Sequence, residues 1–139
     1  MVESPAMSDF KYTDLTKQII GCAMKVHNEL GNGFQEVIYQ RALAQEMRAI
    51  DLDFARELPM SIIYKGIDIG ERRADFVVED KVIVELKAIT KIDDVHFAQT
   101  INYLEAYEFE VGLLINFGSK RLEFKRFANT FKQESAASA

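Results

Sequence analysis

The stretch RRADFVVEDKVIVELKA, Arg72 to Ala88, constrains this chain more than any other. It reads as a β-hairpin, rich in the β-branched and aromatic residues that suit a pleated, half-buried surface. A turn centred on Asp80 sets Val78 against Val82, Phe76 against Val84 and Ala74 against Leu86. Side chains alternate across a strand, so that face is apolar throughout and packs on helices. The opposite face carries Asp75 across from Glu85, Val77 across from Ile83, and Lys87 two residues beyond Glu85. Opposed β-carbons lie about 4.5–5.5 Å apart, and like charges that close destabilise a hairpin unless something positive lies between them. A divalent cation meets that need, because carboxylates are hard oxygen ligands and magnesium takes one or two of them with water and phosphate. Lys87 then falls beside the cation, where its ammonium holds or polarises a water and opposes negative charge building on a phosphate.

The rest of the chain supplies helices on either side of this hairpin. A first helix is expected from about Tyr12 to Leu30, since Leu15, Ile19, Cys22, Ala23, Val26 and Leu30 follow helical spacing. Gly31 is placed to close it. A second helix is expected to start at Asn32 as N-cap, with Gln35 in capping-box position, and to reach about Ile50. Tyr39, Leu43, Met47 and Ile50 form its apolar stripe, and Glu36 shares that stripe, so its carboxylate is expected to point toward the protein. Three strands follow: ELPMSIIYKG, whose Pro59 suggests an edge, then IDIGERRADFVV, then KVIVELKA, with a turn near Glu79–Lys81. A third helix, KIDDVHFAQTINYLEAYEF, is capped by Asp93 or Asp94. EVGLLINF reads as a buried strand. RLEFKRF is a final, alternating one, better explained as a lysine-guarded edge than as a nucleic-acid patch, although Lys120, Arg121, Lys125 and Arg126 are available to hold a backbone. The expected fold is mixed α/β, in the order α-α-β-β-β-α-β-β. A chain of 139 residues suits one domain, placed at 11–128, with 1–10 and 129–139 as flexible polar termini.

Within the third helix His96, Gln99 and Tyr103 share one face, suited to touching phosphate or base edges, while Phe97, Ile101 and Leu104 face the core. A net charge of −5 argues against a protein that coats nucleic acid by charge alone, but not against an enzyme that meets phosphate through a metal ion. Two histidines and one cysteine argue against a structural zinc site, and Cys22 reads as core filler in a reducing cytoplasm. No apolar run approaches the roughly 20 residues of a membrane span, and the N-terminus lacks the pattern of a signal peptide.

These residues, taken together, resemble the PD-(D/E)xK nuclease superfamily. They comprise a glutamate on an early helix, Asp-x9-Glu-x-Lys on a hairpin and Gln-x-x-x-Tyr on the next helix. The closer resemblance is to its small branch of GxxExxY proteins, whose naming motif stands here as GFQEVIY, with Gly33, Glu36 and Tyr39. VHNELGNGF, YKG, RADFVVEDKVIVELKA, VHFAQTINYL and GLLINFG extend the likeness over about Leu15 to Phe127. The resemblance implies a restriction-endonuclease-like core of four strands in a mixed sheet, a Mg2+ or Mn2+ cofactor and phosphodiester cleavage. It implies Asp75, Glu85 and the Leu86 carbonyl as metal ligands, and Glu36 as a further one, directly or through water. Lys87 becomes the catalytic lysine, and Gln99 and Tyr103 an auxiliary motif, with His96 beside them. It also makes a homodimer an expectation, since small nucleases of this architecture pair to cut two strands.

Plainer readings stand beside these. Glu36 is also placed as a helix-dipole carboxylate, His96 as a surface histidine and His27 as a charge at a helix C-terminus. Tyr39 reads as a packing residue whose hydroxyl holds Glu36. The function expected is a metal-dependent nuclease acting on DNA, less readily on RNA. The alternatives are a non-catalytic module that binds nucleic acid or protein on a nuclease scaffold, and a hydrolase of small phosphoesters.

Overall fold

The computed structural model describes residues 11–128; the expectations for the two termini lie outside the described residues. Helices α1 (Thr13–Leu30) and α2 (Glu36–Ala49) precede β1 (Phe54–Tyr64), β2 (Ile67–Val78) and β3 (Val82–Lys87). Helix α3 (Asp94–Ala106), β4 (Val111–Asn116) and β5 (Glu123–Ala128) complete the chain. The strands form one mixed sheet in sequential order, with β1 and β5 at its edges, as Pro59 and the lysine-bearing strand led one to expect. The pairings are antiparallel except for β3 with β4. That parallel pair needs a crossover, and α3 supplies it. The five strands include one more than the four-stranded core that the resemblance implied. Among the described residues no helix is long and apolar enough to cross a membrane.

Each face of the sheet carries its own apolar layer. On one, Phe76, Val78, Val82, Val84, Leu86, Leu113 and Ile115 meet Ile19, Cys22, Val26, Tyr39, Leu43 and Met47 of α1 and α2. On the other, Ile83 and Leu114 meet Leu104 of α3, with Ile92 and Phe127 beside them. Strands β3 and β4 are thus covered on both sides, which is why their sequences run apolar with little alternation. Gly112 of β4 is where α3 comes closest: a Cβ there would lie 2.7 Å from a Leu104 methyl. Thr100 fills the inward position assigned to Ile101, which is instead 36% exposed. Ile50, assigned to the α2 stripe, is exposed as well.

The α2 helix starts at Glu36 with Gln35 as N-cap, not at Asn32, and Gln35 caps without a side-chain hydrogen bond. The reason lies in Tyr39. Its hydroxyl donates to the Gly31 carbonyl at 2.6 Å and accepts from the Phe34 amide at 3.1 Å, so it ties down the loop between the helices rather than holding Glu36. Its ring stacks on Phe117 with centroids 4.7 Å apart. His27 is buried in the last turn of α1 and pairs through Nε2 with the Ser119 carbonyl oxygen, a partner beyond the helix dipole alone.

The β2–β3 turn is as expected: Glu79 and Asp80 take left-handed φ values, and Val78 faces Val82. The register Phe76–Val84 also holds, but the ladder stops there. Beyond it the alternation of both β1 and β2 breaks. Phe54 and Phe76 pack on the α1/α2 side, whereas Leu58, Met60 and Ala74 pack on the α3 side. The change of face falls at Glu57, whose φ of 53° is left-handed, and at Asp75 next to it. Ala74 therefore does not share the face of Phe76, as regular alternation required.

A left-handed conformation costs an ordinary residue about 1–2 kcal/mol and a β-branched one more. Valine, normally favoured in strands, is therefore the wrong residue at position 57. In urea denaturation Glu57→Val is expected to be less stable than Glu57→Gly by about 1–2 kcal/mol. Equal stability of the two would show that the strand does not switch faces there.

Candidate active site

Where β2 leaves β3, the Asp75 side chain replaces the missing ladder bonds. Its Oδ2 accepts from the Leu86 amide at 2.7 Å and its Oδ1 from Gln40 Nε2 at 3.1 Å. Gln40 is buried and is itself fixed by Arg56, whose Nε donates to Gln40 Oε1 at 2.7 Å. Asp75 is thus held in one orientation by three elements: β3, α2 and, through Gln40, β1. Glu85 comes from the other direction, on the α3 side of β3, and only 4% of it is exposed. The two carboxyl groups come close enough to act on each other's charge, although the register that set them directly opposite ends at Phe76 and Val84.

Burial raises Glu85 to a pKa of about 8, and the adjoining charge of Asp75 adds to that shift. Burial also raises Asp75, while hydrogen bonds from the Leu86 amide, Gln40 and Glu85 act the other way. Of the two acids Glu85, raised to about 8, is therefore the one that keeps its proton near neutral pH. A buried carboxyl kept protonated beside a second acid is the arrangement expected when the charged forms lack sufficient counter-charge.

Glu36, in the first turn of α2, is exposed along much of its length. Its carboxyl is nevertheless raised by partial burial and by the charge of Asp75, with Lys87 and Arg72 opposing. Glu36 therefore faces the acid pair. Lys87 ends β3 and acts electrostatically on both Glu36 and Glu85. Its main chain is pinned: the Phe117 amide donates to the Lys87 carbonyl at 2.8 Å. The fully buried Asn116 clamps the next turn of chain, accepting from the Ile89 amide at 3.0 Å and donating to the Ile89 carbonyl at 2.9 Å.

The α3 residues separate. Tyr103 reaches the site, and its ring lies 4.1 Å from the guanidinium of Arg72. Arg72 in turn places Nη2 3.4 Å from Glu85 Oε2. Gln99 is exposed one turn before Tyr103. His96 is engaged elsewhere: its Nδ1 accepts from the Asp93 amide at 3.1 Å, completing the capping box of α3. Leu86 contributes its amide to Asp75.

Sequence reading missed Gln40 and Arg72. Gln40 was within reach, since it lies one turn after Glu36 on the same helix face. Arg72 was not, because regular alternation puts it on the face away from Glu85.

The donor set fits a hard divalent cation. Among the described residues no three His, Cys, Asp or Glu side chains converge as a metal cluster. Two adjoining carboxylates whose ion pair, from Arg72, is long at 3.4 Å are instead what magnesium takes, with water and main-chain oxygen completing its shell.

A carboxyl whose folded pKa is raised binds its proton better folded than unfolded. Its stabilising effect is complete below the usual value of 4.5 and is lost as pH rises to about 8. The protein without added metal is expected to lose stability across that window by at most about 1.4 kcal/mol per pH unit. Glu85→Gln should flatten the profile in urea denaturation and exceed the wild type in stability above the window. A wild-type profile already flat would contradict the proton kept by Glu85.

Comparison with known proteins agrees with this geometry. The family model described as the PD-(D/E)XK nuclease superfamily matches residues 13–127. No curated protein matches the chain. Among solved structures the fold is similar to that of SSO0001, with a TM-score of 0.53 at 14% identity, covering 96% of this chain and 71% of that one. That likeness extends to a restriction-endonuclease-like fold, and with most of its length matched by the family model the chain belongs to the PD-(D/E)XK nuclease superfamily.

Proposed function

We propose that the protein is a divalent-metal-dependent nuclease of the GxxExxY branch, cleaving phosphodiester bonds in DNA and less readily in RNA. The observation that carries this reading is the Asp75–Glu85 pair: Glu85 is buried, Asp75 is fixed by the Leu86 amide and Gln40, and Lys87 lies within electrostatic reach of Glu85. Asp75 and Glu85 would hold Mg2+ or Mn2+, with the Leu86 carbonyl as third donor and Glu36 engaged through water. When bound, such an ion neutralises phosphate charge and makes water a better nucleophile.

The chain's own residues do the rest. Gln40 and the Leu86 amide hold Asp75 so that its remaining lone pairs face Glu85. Glu85 would hold the cation as a carboxylate, its proton passing to solvent. Lys87, on a main chain clamped by Asn116 and Phe117, presents an ammonium that orients water and opposes charge on the phosphate. Tyr103 and Gln99 line the approach from α3. A second copy of the chain would supply the site for the opposite strand. The lone, buried Cys22 suits a reducing cytoplasm.

Cleavage of plasmid DNA, oligonucleotide DNA and RNA with manganese or magnesium tests the reading. Lys87→Ala is expected to lose at least about a hundredfold in rate, with its circular dichroism unchanged, and chelation should stop the wild type. Cleavage that survives in Lys87→Ala would remove the mechanism. An inert wild type that still bound nucleic acid would favour the non-catalytic module.

A further inference from the structure

Arg72 is the side chain that the acid pair does not explain. Its guanidinium carbon lies over the Tyr103 ring, 4.1 Å from the centroid, and Tyr103 stacks on Tyr107 with centroids 6.1 Å apart. This aromatic support holds the guanidinium in place while leaving its edges free to make hydrogen bonds. Of those edges, Nη2 reaches Glu85 at 3.4 Å, long for a charge-assisted contact. Nε is buried without a hydrogen-bond partner. One third of the side chain, 34%, remains open to solvent. A planar donor fork is thus held beside the acids, poorly used by them and accessible from outside.

We propose that Arg72 is a phosphate-gripping side chain that doubles as the resident counter-ion of Glu85. The inference rests on the nuclease reading. Until a divalent cation binds, the guanidinium provides part of the positive charge that Glu85 lacks. A cation drawn to the same carboxylate repels it, and Arg72 loses its partner. A phosphodiester then offers what the guanidinium fork matches best, two anionic oxygens in a bidentate geometry. Arg72 therefore favours substrate only once the metal is in place, which couples the two binding events in one order.

The test compares the full chain with Arg72→Met and Arg72→Lys, all in the Lys87→Ala background so that nucleic acid is not cut. Manganese binding is measured by calorimetry, and binding of a labelled DNA duplex, with manganese present, by fluorescence anisotropy across a salt series. Arg72→Met is expected to bind manganese roughly tenfold more tightly, because a repelling charge has gone. It should bind the duplex roughly tenfold more weakly, with the salt slope reduced by about 1. Arg72→Lys keeps the charge but not the fork. Its manganese affinity and salt slope should match the parent, with duplex affinity between the other two. Unchanged manganese affinity in Arg72→Met would overturn the counter-ion role, and an unchanged duplex affinity and salt slope would overturn the phosphate grip. Failure of the parent itself to bind manganese or duplex would overturn the nuclease reading beneath both, and is recognised before any Arg72 variant is compared.

Discussion

A buried carboxyl and a half-buried one, Glu85 and Asp75, with too little positive charge between them set the terms for everything around them. Taking an ionised carboxylate out of water is costly unless it is paired or neutralised. Asp75 and Glu85 meet that requirement with one proton, one amide from β3, one glutamine from α2 and one arginine at long range. None of these helps the core pack. A hydrophobic pair at the same positions would close the sheet with less difficulty.

The sheet is built to let them meet. Regular pairing of β2 with β3 would keep Asp75 in the ladder; instead the strand departs after Phe76, and the carboxylate takes the Leu86 amide that a main-chain carbonyl would otherwise have bonded. The change of face of β1 and β2 at Glu57 and Asp75 carries Ala74 across to the α3 side and brings Arg72 beside Glu85. On the third side Gly112 admits Leu104 closely, and the α3 helix so seated presents Tyr103 to Arg72. Lys87 has its main chain bonded to Phe117, whose ring stacks on Tyr39 of α2. Four elements thus converge on the end of β3, each fixed by packing of its own.

Much of this was legible in the sequence, and the parts that were not have physical causes. The hairpin register followed from a turn centred on Asp80 as far as Phe76 and Val84, but not on to Ala74 and Asp75, where the ladder ends. Element order followed from the change of period between helix and strand. The capping role of His96 was hidden because capping boxes are recognised by Glu or Gln at that position, not histidine. The start of α2 was misplaced because Asn32 is a good cap by type, while the loop is held by a tyrosine seven residues on. Arg72 was lost to a break in alternation at Glu57, and a glutamate gives no sign that it will take a left-handed conformation. Gln40 needed only one more turn of the reasoning applied to Glu36.

The central claim is that Asp75 and Glu85 hold one proton when no metal is bound and a divalent cation when one is. Calorimetric titration of manganese into the protein at neutral pH, repeated in buffers of different ionisation enthalpy, counts protons released per ion bound. The account predicts release of about one proton by the wild type and close to none by Glu85→Gln. Binding without proton release in the wild type, or equal release by both proteins, would contradict it.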